Sequence, residues 1–202
     1  VYLLLGGLGM LSFAAGVLLH APLALRVALT LGLWGFVLPV MLTVAHRMLP
    51  FFSSNVIQPY VMYSPTWVLP AIPALIAGHV LCEYAGLSQW RFAFDAPLAA
   101  IGLLLSWRWQ LHKSFQARLL AILHVAFLWF GIGMALFALD SLLLLGDAPV
   151  SLGRAPLHAL GIGLIATMTL AMASRVSLGH SGRPLVAGTL VWLCGWGLHL
   201  SA

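Results

Sequence analysis

The stretch "RLLAILHVAFLWFGIGMALFALDSLL", Arg118 to Leu143, decides the fold class. Between its first residue and Asp140 it carries no formal charge, and it exceeds the about 20 apolar residues that a bilayer-crossing helix needs. The whole chain shares this character: 62% of its 202 residues are hydrophobic, 6% are charged, and the mean hydropathy is +1.07. The composition therefore predicts an all-α fold, a polytopic transmembrane helix bundle in a lipid bilayer.

The same length criterion, applied outward from this stretch, predicts about seven spans in a single transmembrane domain covering residues 1–202. The predicted spans are Val1–Leu19, Arg26–Arg47, Trp67–Leu87, Phe94–Trp109, Arg118–Leu143, Pro156–Val176 and Leu185–Ser201. The third span contains two prolines and the fourth is the shortest, so we expect one of them to be tilted, kinked or irregular. Because Val1 begins inside an apolar run, we also expect this domain to be part of a longer chain.

The basic residues predict how the bundle is oriented. The connections after the second, fourth and sixth spans carry Arg47, Arg108, Lys113, Arg118, Arg175 and Arg183. The opposite connections carry Arg26, Arg91 and Arg154. This excess predicts that the first set is cytoplasmic. The basic residues that produce the net charge of +5 are scattered through short loops and form no single basic patch, so we expect no nucleic-acid partner.

Histidines are unusually frequent for so apolar a chain, and several fall within predicted spans, where an ionisable group is costly without a partner. The predicted topology sorts them into two depths. The cytoplasmic side receives His46, His112, His124 and His180, and the outer side receives His20, His79, His158 and His199. Each set forms a candidate cluster, because neutral imidazole nitrogens are ligands of haem iron and copper.

Two of these histidines lie well inside spans. His79 precedes Glu83 by four residues, which predicts an imidazole and a carboxylate on one helix face. Such a pair serves as a metal ligand with its orienting group, as a step in a proton relay, or as a self-satisfied interfacial pair. His124 has the alternatives of a metal ligand and a core histidine bonded to a neighbouring helix carbonyl.

Glycine pairs occur in the last three spans. The pairs are Gly131 and Gly133, Gly161 and Gly163, and Gly195 and Gly197. They favour close helix approach and are equally compatible with space for a flat macrocycle.

Two polar segments end predicted spans. "VAHRMLPFFSSNV" begins at Val44, and "SRVSLGHSGRP" begins at Ser174. Both are explained by interfacial anchoring. Their arginines also suit an anionic group such as a haem propionate, because guanidinium matches carboxylate geometry.

These segments carry a family resemblance. "HRMLPFFSSNV" and "HALGIGLIATMTLAMASRVSLGHSGRPL", from His158 to Leu185, resemble the NnrS family of bacterial integral membrane proteins. Members of that family are about twice as long, with around twelve spans, so the chain resembles the later portion of a member. The resemblance implies a multi-pass inner-membrane protein that contains haem and copper and acts in the response to nitric oxide and in denitrification, with no defined reaction.

The resemblance also implies site residues. Carried over by position they are Arg47, His158, Arg175, His180 and Arg183, with His46 directly before the matched segment. We expect the arginines to bind the cofactor. We expect metal ligands among His46, His79, His124, His158 and His180, nitric oxide as a ligand, and a non-covalent b-type haem, because the sequence has no C-x-x-C-H motif.

Two other functions stay open at this point. A proton-coupled transporter or channel for a small solute would use His79, Glu83 and Asp140 along its path. A structural or sensory membrane subunit would use its histidines only for bonds between helices.

Overall fold

The computed structural model describes residues 1–182 and 186–202, and within these ranges the chain is helical with no strand. Helix occurs there as seven rods, α1 to α7. Their bounds are α1 Tyr2–Leu18, α2 Pro22–Ser54, α3 Val68–Tyr84, α4 Phe92–Arg108, α5 Arg118–Leu145, α6 Ala155–His180 and α7 Thr189–Ser201. The short 3-10 turns Ser88–Trp90 and Leu111–Gln116 precede α4 and α5.

Three of these rods, α2, α5 and α6, are each long and apolar enough to cross a bilayer. The helices α1 and α3 are apolar but shorter. Large hydrophobic side chains on α1 point outward, with Leu3 79% exposed and Met10 76% exposed, as lipid contact requires. The all-helical prediction is therefore confirmed and the chain is that of a membrane protein, whereas the count of seven crossings stays a prediction.

The central rod is α5, which packs against α2, α4, α6 and α7. Glycines permit these contacts: a Cβ on Gly102 of α4 would lie 2.9 Å from the Gly131 backbone of α5, and one on Gly195 of α7 would lie 2.9 Å from Ile122. A Cβ on Gly163 of α6 would overlap Trp129. Close approach therefore explains at least one glycine of each predicted pair, while Gly161 and Gly197 face open space.

Consecutive rods run in opposite directions, which gives the bundle two chemically different ends. The basic end contains Arg47, Arg108, Lys113, Arg118 and Arg175. The acidic end contains all four carboxylate side chains, which are Glu83, Asp95, Asp140 and Asp147. The ends correspond to the predicted cytoplasmic and outer sides.

Two predicted boundaries are wrong. The second span was expected to end at Arg47, but α2 continues to Ser54 with Pro50 inside it. The sixth was expected to end at Val176, but α6 continues to His180, so Arg175 lies on a helix and not in a turn. In α2 the extension is held by packing, because Leu49, Pro50 and Ser53 are buried. The last turn of α6 is largely exposed, and no packing contact explains its extension.

The irregular helices are also different from those expected. The prolines of α3 leave its helix continuous from Val68, whereas α2 and α6 contain π-helical segments at Leu31–Val37 and Ala159–Ala166. The first ends two residues before Pro39, whose ring cannot fit a regular helical turn. In the second, the Thr167 hydroxyl donates to the carbonyl of Ile162, five residues earlier.

Candidate functional site

The acidic end contains a buried pair of ionisable side chains from two helices. Nδ1 of His79 in α3 lies 2.6 Å from Oδ1 of Asp95 in α4, and the two residues are 2% and 0% exposed. Gly78 permits this approach, because a Cβ at that position would overlap the ring of Phe94. The carboxylate accepts the Nδ1 proton and leaves Nε2 as the other nitrogen of the ring.

Arg91 holds this pair within a larger network. Its Nε donates to Oδ2 of Asp95 at 3.0 Å, its Nη1 contacts Glu83, and its Nη2 lies 3.5 Å from Oδ2 of Asp140. Asp140 also accepts bonds from Ser151 and from the backbone amide of Leu152. Three of the four carboxylates of the chain thus surround one buried guanidinium.

A cavity of about 160 Å³ opens beside this network. The His79 ring forms part of its wall; its centre lies 4.0 Å from that of Trp34, at a tilt of 39°, and 5.1 Å from that of Phe137, which it meets edge-on. Arg26 and Tyr84 lie on the same wall. The cavity therefore combines aromatic surface with a buried imidazole and both signs of charge.

The sequence predicted that His79 pairs with Glu83, and this prediction is wrong. Asp95 bonds the imidazole, and Glu83 contacts Arg91. Helix periodicity could find Glu83, which is four residues away on the same helix, but not Asp95, whose place depends on how α3 packs on α4. Asp95 and Arg91 are the functional residues that sequence reasoning missed. The available signal was their own i, i+4 spacing at the start of α4.

His46 lies in the second half of α2 and is 4% exposed. Its Nε2 lies 3.1 Å from the carbonyl oxygen of Pro65, which can only accept, so the proton is on Nε2. Nδ1 then carries a lone pair that is buried without a partner in the described residues. The space beside this ring is about 10 Å³.

His124 repeats the same arrangement on α5. Its Nε2 lies 2.8 Å from Oγ of Ser53, while the Ser53 hydroxyl donates to the carbonyl of Leu49. Nε2 is therefore the donor, and Nδ1 is buried without a partner among the described residues. One alternative predicted for His124 was a bond to a carbonyl of a neighbouring helix, but the group that accepts its proton is the Ser53 hydroxyl. Nearby, burial raises the pKa of the Tyr60 phenol.

A groove of about 370 Å³ separates α2 from α6 near the basic end. Its walls include Met41, Met168 and Met172, whose thioethers are ligands of soft metals and of haem iron. Arg175 follows Met172 by three residues, and its guanidinium lies 3.7 Å from the centre of the Phe52 ring of α2. Arg47 is exposed on α2 at the same end.

The remaining predicted residues are more dispersed. His158 and His180 are both exposed and lie near opposite ends of α6, about 33 Å apart at 1.5 Å per residue, so they cannot share one ion. Arg183 lies outside the described residues. Among residues 1–182 and 186–202, no three His, Cys, Asp or Glu side chains are grouped to hold a metal, so the expected histidine clusters do not form there.

His199 is a further buried histidine that the sequence reasoning placed in the outer set without a role. Its Nδ1 accepts a bond from Trp129 Nε1 at 3.1 Å, which ties α7 to α5.

The sequence matches the NnrS family, described as "NnrS protein", over residues 1–202. No curated protein and no solved structure matches the chain.

Proposed function

This chain belongs to the NnrS family, and we propose that it is a multi-pass protein of the bacterial inner membrane that binds copper and a non-covalent b-type haem. Its role would be in the response to nitric oxide and in denitrification. The observation that carries the proposal is that Nδ1 of His46 and Nδ1 of His124, two of the three buried imidazole nitrogens without a partner in the described residues, both lie in the half of the bundle nearer the basic end; the third is Nε2 of His199. The multi-pass part of the proposal is supported by α2, α5 and α6, each of which is long and apolar enough to cross a membrane.

Copper suits these two histidines. Histidine ligands of metals typically donate their other ring N–H to a carbonyl or another fixed acceptor, which sets the tautomer and the ring orientation. Pro65 does this for His46, and Ser53 does it for His124. The small space beside His46 has room for a single ion and not for a macrocycle.

The haem suits the groove between α2 and α6. Its volume falls within the range of cofactor sites, its walls are apolar, and its methionines offer thioether ligands. Arg47 and Arg175 follow the groove residues Val44 and Met172 by three positions each at the basic end, where guanidinium groups would neutralise haem propionates. Arg183 is proposed for the same role from the family resemblance alone. His158 and His180 would serve only as peripheral ligands, since both are exposed.

The protein's own contribution is to bind, orient and shield. A bound haem iron supplies affinity for nitric oxide, and copper supplies one-electron chemistry. The apolar helices around His46 and His124 exclude water and keep each imidazole neutral, which is the form that binds metal.

The test is the visible absorption spectrum and metal content of full-length protein purified from haem- and copper-replete cells. We expect a Soret band that shifts when nitric oxide is added. We also expect copper to be lost in His46→Gln and in His124→Gln, while His112→Gln, at an exposed histidine of the same end, keeps it. Colourless, metal-free protein would overturn the proposal.

The alternative is a proton-coupled transporter or channel for a small solute. The buried network around Arg91 and its cavity favour this function, because ionisable groups inside membranes commonly mark transport paths. Colourless protein whose reconstituted vesicles acidify with an imposed solute gradient would support it.

A further inference from the structure

We infer that a passage for small uncharged diatomic molecules, of the kind of nitric oxide and dioxygen, leads from the lipid side of α3 to the His46 ring. The passage consists of two adjoining spaces between α1, α2 and α3, and it is separate from the groove proposed for haem. The inference deepens the proposed function, on which it rests for the chemistry at His46. The passage itself is a property of the helices, so it can be tested without a metal.

The outer space is a cavity of about 180 Å³ between the three helices. Small residues on its wall, Gly35 of α2 and Ala77 of α3, leave this volume open. Gly35 belongs to the π-helical segment of α2, and a Cβ at this position would approach Leu5 of α1 only to 3.4 Å, an ordinary contact distance. The three helices therefore enclose a space that none of their side chains fills.

The walls of this cavity offer little to water or to an ion. Most of them are apolar, and the Thr30 hydroxyl among them already donates to the Arg26 carbonyl and accepts from Tyr84. A buried water needs about two to four polar partners, whereas an apolar cavity stays dry and takes up small apolar molecules. Thr30 and Trp34 also form part of the wall of the charged cavity beside Arg91, so they separate the two cavities.

The inner space adjoins the outer cavity and lies beside His46. The two spaces share the side chains of Tyr2, Pro39 and Pro73 as a common wall. The inner space measures about 10 Å³, which is close to the volume that a single water-sized sphere needs. The proline rings are rigid, so Tyr2 is the part of this wall that can move. A diatomic molecule can pass such a wall, whereas a lipid acyl chain or a macrocycle cannot.

The entrance to the outer cavity faces lipid. Ala77, on its wall, is exposed and belongs to an apolar helix of the bundle. Nitric oxide and dioxygen are uncharged and dissolve in hydrocarbon, so the bilayer itself brings them to this edge. A charged or strongly polar solute would have to lose its hydration to follow the same path, which costs several kcal/mol without compensating bonds.

The His46 ring gives the passage an end at which a ligand can react. The residue is 4% exposed, and its Nδ1 has no partner in the described residues. A molecule in the inner space lies beside this ring without having crossed water. Trp109, at the end of α4, is fully buried nearby, with its ring centre 6.4 Å from that of His46.

The test detects dioxygen at two tryptophans by fluorine NMR. The full chain is labelled with fluorotryptophan, placed in lipid nanodiscs without added copper, and compared under nitrogen and under dioxygen. Dioxygen is paramagnetic and speeds the relaxation of fluorine nuclei near it. Trp34 lies on the wall of the outer cavity and reports entry, and Trp109 reports arrival at His46. The Trp34→Phe and Trp109→Phe variants assign the two signals.

We expect dioxygen to speed relaxation at both tryptophans. Ala77→Phe fills the outer cavity and should reduce the effect several-fold at Trp34 and at Trp109. It should leave the effect unchanged at Trp129, which packs against α6 and α7.

Ala74→Phe is the matched control, because it places the same ring at an exposed position of the same helix that is not part of the cavity wall. This variant should change neither signal. Gly35→Ala narrows the cavity from α2 without overlap and should give a smaller reduction than Ala77→Phe. It decides the question where Ala77→Phe does not fold.

Two results would overturn the inference. One is a Trp109 signal that dioxygen leaves unchanged, because the passage would then stop before His46. The other is an equal effect of the substitutions at Ala77 and Ala74, because dioxygen would then arrive by another path. Neither result depends on a bound metal, so colourless, metal-free protein would count against the proposed function alone.

Discussion

At the scale of single residues, the Ser53 hydroxyl fixes the tautomer of a buried histidine. It accepts the Nε2 proton of His124 and donates to the Leu49 carbonyl, so the arrangement leaves Nδ1 as a lone pair. Ser53→Ala should leave the His124 donor unpaired and destabilise the protein by about 1–3 kcal/mol. If His124 holds copper, affinity for the ion should also fall about 10- to 100-fold. Thermal unfolding in detergent and a copper competition assay measure the two effects.

The adjacent Ser54 supplies the matched control. Its hydroxyl bonds only to the Phe51 carbonyl, three residues away in the same helix. Ser54→Ala should therefore leave both quantities unchanged. Equal effects of the two variants would mean that the Ser53 bond to His124 contributes nothing specific.

Asp95 gives the second prediction at this scale. Replacing it with asparagine leaves Arg91 and His79 without their shared carboxylate in a fully buried place, which should cost about 3–5 kcal/mol of unfolding free energy. Asp147→Asn, at an exposed residue of the same end, should change the stability little. Urea titration of the two variants provides the comparison, and a stable Asp95→Asn protein would show that the network is weakly coupled to folding.

At the scale of helices, Gly78 sets the distance between α3 and α4. Gly78→Ala should force Phe94 away and destabilise the bundle by about 1–3 kcal/mol, because overpacking at a close contact is costly. Gly197→Ala faces open space in α7 and should be neutral or stabilising, since alanine favours helix more than glycine does. Thermal midpoints of the two variants should therefore move in different directions or by clearly different amounts.

The positions of the helices could be predicted from the sequence. Their π-helical segments and the hydrogen bonds between them could not. Apolar length alone placed every described rod, because a bilayer leaves the backbone few alternatives to helix. The π segments escaped prediction: the glycines Gly161 and Gly163 mark one of them, but glycine pairs signal close packing equally well. The sequence indicated His124 by its depth within a span and His46 by its position directly before the segment that resembles the family. Their bonds to Pro65 and Ser53 depend on contacts between segments that periodicity does not describe.

At the scale of the whole molecule, the charge segregation predicts an orientation that labelling can check. Arg91 is buried in a network and does not act as a loop anchor, so the basic excess of the other end is larger than the sequence count implied. In a Cys194→Ala background, a cysteine at Ser181 should react with a membrane-impermeant maleimide only from the cytoplasm. A cysteine at Asp147 should react only from outside. The reversed pattern would invert the bundle and place the His79 cavity on the cytoplasmic side.

The charges around Arg91 have a consequence for how the chain enters the membrane. Separately, α3 would carry Glu83 and α4 would carry Asp95 into lipid, and each is a helix of only 17 residues. A charged side chain is costly for a single helix leaving the translocon. Arg91, in the connection between them, contacts both carboxylates. Entering the bilayer together as one helical hairpin therefore costs less free energy than entering separately. We expect α3 and α4 to leave the translocon as a pair during synthesis.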